Sequence, residues 1–125
     1  MTTISAPNAP KAVGPYSQAI RTGNLLYCSG QIPINPATGK IEAQDVVGQT
    51  HQVVANLHAV LAGAGLKIQN VLKSTLFLQN LDDVHVVDPL LAEGFEGHKP
   101  ARSTVEASKL PLGSLVEVEI IAGYP

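Results

Sequence analysis

The residues best suited to chemistry lie in two stretches near the end of the sequence. In HKPARSTVEA, His98 to Ala107, the guanidinium of Arg102 stands among small and hydroxylic neighbours in a run that reads as a β-strand. Alternate side chains of a strand share a face, so Arg102, Thr104 and Glu106 point one way while Ser103 and Val105 point the other. In VEVEIIA, Val116 to Ala122, Glu117 and Glu119 likewise share a face, opposite Val116, Val118 and Ile120. If the two strands pair as a hairpin through KLPLGS, whose Pro111 and Gly113 suit a turn, the guanidinium comes near one or two carboxylates. That arrangement serves two purposes equally well. It makes an intramolecular Arg–Glu ion pair, or it leaves Arg102 offering its planar fork of donors to a ligand carboxylate while a nearby Glu handles water or a proton. Periodicity does not decide between them.

Other reactive residue types read as structural. His51 and His58 are seven positions apart on a helix, two turns rather than the single turn a metal pair needs, and His85 and His98 add no ligand spacing. No metal site is expected. Cys28 sits beside Tyr27 in a strand and reads as a small buried hydrophobe rather than a nucleophile. Ser17 and Ser29 have no histidine close by in their motifs, which argues against a Ser–His hydrolase. The GAG at Gly63 to Gly65 ends a helix instead of opening one, so it is a stop and not a phosphate loop.

The elements that must position these residues follow from pattern. Tyr16 to Arg21 and Leu25 to Ser29 flank Thr22 to Asn24, a turn that Gly23 and Asn24 can enter with positive φ, so a β-hairpin is expected. QIPINPATGK, with Pro33, Pro36 and Gly39, reads as a loop. Asp45 is a candidate N-cap, and apolar residues from Val46 to Ala64 recur at helical spacing up to a stop at Gly65. Val71 to Gln79 is a strand with Leu72, Leu76 and Leu78 on one face. Asp82 or Asp83 can cap a second helix to about Phe95, in which Pro89 is comfortable only within the first turn, so an irregular or displaced start is expected. Strands from Arg102 to Ala107 and from Leu115 to Ala122 complete the chain. Two helices for five or six strands cover one face of a sheet and leave the other bare. The strands carry apolar residues on both sides, and a bare apolar face points to a homo-oligomer.

Composition bounds the setting. The 125 residues are 45% hydrophobic, enough for one core and one domain over residues 1–125. Eight Lys+Arg against ten Asp+Glu, scattered singly, advertise no polyanion partner. A single cysteine allows no internal disulfide, and neither a signal-peptide core nor a segment of membrane-spanning length is present. A soluble intracellular protein is expected, cytoplasmic or within an organelle.

GPYSQAI at Gly14 to Ile20, SGQIPINPATG at Ser29 to Gly39, PARSTVEASKLP at Pro100 to Pro111 and VEVEIIA together resemble the motifs of the RidA family, also called YjgF, in order and across essentially the whole chain. The resemblance implies an α+β, chorismate-mutase-like fold: a mixed β-sheet with two helices on one face, assembled as a homotrimer with ligand clefts between subunits. It implies cofactor-independent hydrolysis of reactive 2-enamino and 2-imino acids, of the 2-iminobutanoate and 2-iminopropanoate type, to 2-oxo acids and ammonia. Arg102 falls on the arginine that binds the substrate carboxylate, Glu117 on the glutamate that positions water, Tyr16 on the tyrosine lining the cleft, and Gly30, preceded by Ser29, on the glycine whose backbone meets the ligand. Two departures touch the cleft. Thr104 stands where archetypal members have cysteine, and Asp88, followed by Pro89, stands where members often have asparagine; the segment before Arg102 is also a few residues shorter. These bear on side-chain preference, with Thr104 and Asp88 as candidate substrate contacts. Some members are described as endoribonucleases or translation inhibitors, and a non-catalytic binding or holdase-like use of the same cleft is a further alternative. Arg102 and Glu117 together favour catalysis, because a binding module has less use for the second.

Overall fold

The computed structural model describes all residues, 1–125. Ten regular elements follow one another as β1 (Thr2–Ile4), β2 (Ala19–Thr22), β3 (Leu25–Cys28), β4 (Ile34–Asn35), β5 (Lys40–Ile41), α1 (Val46–Gly63), β6 (Val71–Leu78), α2 (Val84–Gly94), β7 (Ala101–Glu106) and β8 (Val116–Gly123). Six strands form one mixed sheet in the order β1-β2-β3-β8-β6-β7, and β4 pairs with β5 as a separate short ribbon. The fold class is α+β, as expected.

The secure elements are those with local punctuation. β2 and β3 pair antiparallel, Thr22 opposite Leu25, around Gly23 at φ +57; of the two turn residues only the glycine takes positive φ. The first strand of that hairpin is shorter than expected, because Tyr16 to Gln18 lie outside it. Asp45 caps α1, its carboxylate accepting from the Gly48 N–H at 2.8 Å. Beyond the last turn, Gly65 at φ +75 lets the chain leave. The opening residues Thr2–Ile4, too short and polar to signal a strand, pair with β2 as the sheet's edge.

Around α2 the expectation was partly right. A single 3-10 turn, Leu81–Asp83, precedes it and is capped by Asn80, which accepts from the Asp82 N–H at 3.0 Å; Asp83 holds the N-cap position of the helix itself but makes no side-chain capping bond. The helix proper begins at Val84, so Pro89 lies beyond the first turn, inside the helix.

Two expectations about strands are corrected. Leu72 does not share a face with Leu76 and Leu78: the register of β6 against β8 shifts between Val71 and Lys73, and Leu72 is turned outward, 52% exposed. The second correction matters more, since β7 and β8 are not a hairpin. The chain leaves β6, crosses through α2 and returns as β7 parallel to β6, with Arg102 opposite Ser74. β8 lies on the other flank of β6, antiparallel, with Glu117 opposite Phe77. A strand–helix–strand unit closes in this parallel way because the helix must pack back onto the sheet that its strands belong to.

Both helices cover one face. Leu57 and Leu61 of α1, Val87 of α2, Leu76 and Leu78 of β6, and Val116, Val118 and Ile120 of β8 belong to one cluster and are essentially without exposure. Each such aliphatic side chain contributes about 1.5–3 kcal/mol on burial. The opposite face carries Tyr27, 46% exposed, and Val105, 41% exposed, with Phe77 and Ile121 half-buried between them. No helix is long and apolar enough to cross a membrane.

Candidate functional site

The chemistry-bearing residues gather at two places on opposite faces of the sheet. Arg102 is on the helix-covered face. Its register partner Ser74 is buried there, and the alternation that buries Ser74, Leu76 and Leu78 brings Arg102, Thr104 and Glu106 to the same side. β7 is the sheet edge, so this face of Arg102 is bounded by α2 and not by another strand. A cavity of about 350 Å³ opens between them, walled largely by Leu76, Leu91, Phe95 and Val118. Arg102, Lys99 and Asp88 supply charge on its wall, Asp88 from α2, with Arg102 Nη1 2.8 Å from Asp88 Oδ1. The segment leading into β7 is pinned by His98, whose Nε2 lies 2.6 Å from the Val71 carbonyl oxygen. Thr104 shares the face of Arg102 and is half-buried, but it is not part of the cavity wall.

Glu117 is on the open face. It is half-buried near the start of β8 and is held against Gly30, where a Cβ would collide with the Glu117 carboxylate. A side chain there would push the carboxylate out of this position. The backbone that carries Gly30 is tied to β8 by paired bonds, Gln31 N–H to the Val118 oxygen at 2.8 Å and Val118 N–H to the Gln31 oxygen at 3.1 Å. Tyr16 and Ser29 border the same shallow depression. The Tyr16 hydroxyl accepts from the Val13 N–H at 3.2 Å, and the Ser29 hydroxyl donates to the Ser17 carbonyl at 2.6 Å, which fixes the two loops side by side. Burial pushes the Glu117 carboxyl above its ordinary range, and the neighbouring Glu119 charge pushes it the same way. Such a group exchanges a proton closer to neutrality than an exposed glutamate does.

The sequence-derived site is thus divided: Glu117, Tyr16, Ser29 and Gly30 meet, Arg102 and Asp88 meet, and the β6 strand separates the two groups. The anticipated proximity of Arg102 to Glu117 within one chain does not occur, because it depended on the β7–β8 hairpin. Arg102 does make an ion pair, with Asp88 rather than with a glutamate. The signal that could have placed Asp88 there was the strand–helix–strand order itself, which puts the helix over the face of the returning strand.

The remaining reactive types have structural partners. Cys28 is buried, and burial pushes its thiol up to about 12, which removes the thiolate a nucleophile requires. His58 Nε2 lies 2.8 Å from the Gly94 carbonyl oxygen and helps to lock α1 to α2.

Comparison with known proteins yields concordant matches. A family model described as Endoribonuclease L-PSP matches residues 6–124. A RutC family protein of Pyrococcus horikoshii is 47% identical over 95% of this chain and 94% of its own length. A 2-iminobutanoate/2-iminopropanoate deaminase of Escherichia coli is 42% identical over 96% of this chain and 95% of its own. The crystal structure of the YjgF gene product of E. coli superposes with a TM-score of 0.94, with 41% identity and coverage of 100% of both chains.

Proposed function

The chain belongs to the RidA (YjgF) family, described as Endoribonuclease L-PSP, and from that premise we propose that it hydrolyses reactive 2-enamino and 2-imino acids to 2-oxo acids and ammonia. The observation that carries this reading is Arg102: a guanidinium with 31% side-chain exposure on the wall of a largely apolar cavity. A 2-imino acid bears its carboxylate on the carbon next to the electrophilic C=N carbon. Two parallel hydrogen bonds from the arginine fork to that carboxylate fix which face of the electrophilic carbon meets water.

Water attack also needs a proton acceptor, which Glu117 supplies. Since the sheet lies between Glu117 and Arg102 of the same chain, a complete site requires Arg102 of one protomer to face Glu117, Tyr16, Ser29 and Gly30 of another. The apolar residues on the uncovered face favour such an assembly, and the reading is a homotrimer with its sites at the seams. Water adds to the C=N carbon, a C–O bond forms, the C–N bond breaks, and nitrogen leaves as ammonia. The chemistry uses only these side chains and water. Because these imines also hydrolyse spontaneously, a modest rate enhancement and a sparse site are enough.

The family description also names ribonuclease chemistry. The eight basic residues are dispersed along the chain instead of gathered for a polyanion, so RNA cleavage has less support.

The test couples a pyridoxal-phosphate-dependent dehydratase or an amino-acid oxidase to the purified protein and follows imine trapped by semicarbazide. Wild type is expected to deplete the trapped imine. Arg102→Ala is expected to lose about 3 kcal/mol or more in kcat/KM, the scale on which a desolvated charge pair loses one partner. Equal trapping with and without either protein would remove the assignment.

A further inference from the structure

The charge pair on the cavity wall is lopsided. Arg102 Nη1 and Asp88 Oδ1 are 2.8 Å apart, yet Oδ1, shielded from solvent, receives no hydrogen bond of acceptable direction. The contact is therefore one oxygen against one nitrogen held by charge alone, and the other donors of the guanidinium are free for a ligand carboxylate. The Asp88 side chain nevertheless keeps 46% exposure. Since Oδ1 has almost none, that exposure falls on Oδ2 and the methylene. A receptor for a carboxylate and an unoccupied anionic acceptor thus stand side by side at one opening, an arrangement complementary to a small molecule with adjacent negative and positive groups.

We propose that Asp88 is a specificity-determining residue that reads the nitrogen of the ligand: Arg102 takes the carboxylate of an α-nitrogen acid while Asp88 accepts an N–H from the neighbouring iminium or ammonium. This rests on the imine-hydrolysing reading above. A protonated 2-imino acid is a zwitterion whose two charged groups are one carbon apart, the separation that adjacent Arg and Asp side chains can serve together. Hydrolysis reverses the fit. Water adds its oxygen to the C=N carbon, the C–N bond breaks, and the nitrogen departs as ammonium with the proton balance closed by water. The 2-oxo acid left behind has a carbonyl oxygen where the donor was, and that oxygen faces a carboxylate. Asp88 therefore favours substrate over product and promotes release. An amide at the same position could donate as well as accept, and would tolerate the 2-oxo acid.

The experiment is calorimetric titration of the full chain with L-alanine, as a zwitterion, and with pyruvate, as a 2-oxo acid, in wild type, Asp88→Asn and Asp88→Ser. Wild type should bind L-alanine more tightly than pyruvate. Both variants should bind pyruvate about tenfold more tightly than wild type does and L-alanine about tenfold more weakly, the scale of one charge-assisted hydrogen bond. Two variants of different shape guard against a folding defect in one. Pyruvate affinity unchanged or lowered in both variants, a wild type that prefers pyruvate, or a wild type that binds neither would each overturn the role of Asp88. Imine trapping on the same preparations separates the two ideas: turnover by wild type alongside an unaltered ligand preference sinks this inference alone, whereas absence of turnover sinks the reading beneath it.

Discussion

Arg102 and Glu117 make different demands on their surroundings, and each has the surroundings it needs. The guanidinium presents a planar fork of donors and is partly desolvated against apolar walls. Lysine keeps the charge but not the planar fork, so Arg102→Lys is expected to lose most of the imine-hydrolysing activity, measured as kcat/KM in the trapping assay. Its effect on stability should be small, because the partly exposed Arg102–Asp88 contact is worth about 0–1 kcal/mol. Glu117 is the opposite case, a carboxyl raised by burial and by Glu119 above the ordinary value of 4.5. Because its folded-state pKa is the higher one, the folded protein binds the extra proton, and stability falls as pH rises from about 4.5 through the folded value, then levels off. Glu117→Gln should therefore melt at a higher temperature than wild type near pH 7, with the gap closing towards pH ~4, and should lose the acidic limb of the activity profile. A wild-type and variant pair with parallel melting curves across that range would contradict the burial argument.

At the scale of elements, α2 and β7 carry the cavity. Pro89 sits inside α2 beyond its first turn and cannot donate to the helix ladder, and the residue before a proline is biased away from helical backbone. That residue is Asp88. Pro89→Ala restores a donor and is expected to raise stability by about 1 kcal/mol or more, read as a higher melting temperature; a drop would mean that the proline ring packs usefully where it is. The same element shows why the candidate site was only half legible. The α1 cap, the hairpin turn and the residues of the β7 and β8 motifs were readable, because capping, turn chemistry and alternation are local. Which strand β7 lies against is a long-range choice. It was settled by α2, whose Val87 and Leu91 have to be buried on the sheet, and the consequence was to carry Arg102 to the face away from Glu117.

At the scale of the whole molecule, the sheet has one face under two helices and one face with Tyr27, Phe77, Val105 and Ile121 uncovered or half-covered by the chain itself. In the proposed homo-oligomer, burial of that face between copies would account for its composition and would bring the two half-sites within reach of each other. Val105→Asp places a charge on it without touching Arg102 or Glu117. The expected outcome is a particle near the 13.1 kDa of one chain by light scattering, together with loss of imine hydrolysis. A variant that stayed active as a lone protomer would show that one chain can complete the site.

The amino-acid sequence by itself determined the α+β class, the capped first helix, the apolar excess on both sides of the strands and the residue types that suit a carboxylate and a water, since each depends on neighbours within a few positions. Only the tertiary structure decided that β7 runs parallel to β6, that Asp88 is the charge beside Arg102, and that Arg102 and Glu117 lie on opposite faces. Those relations join positions distant in sequence, and strand alternation fixes that side chains alternate without fixing which strand stands next to which.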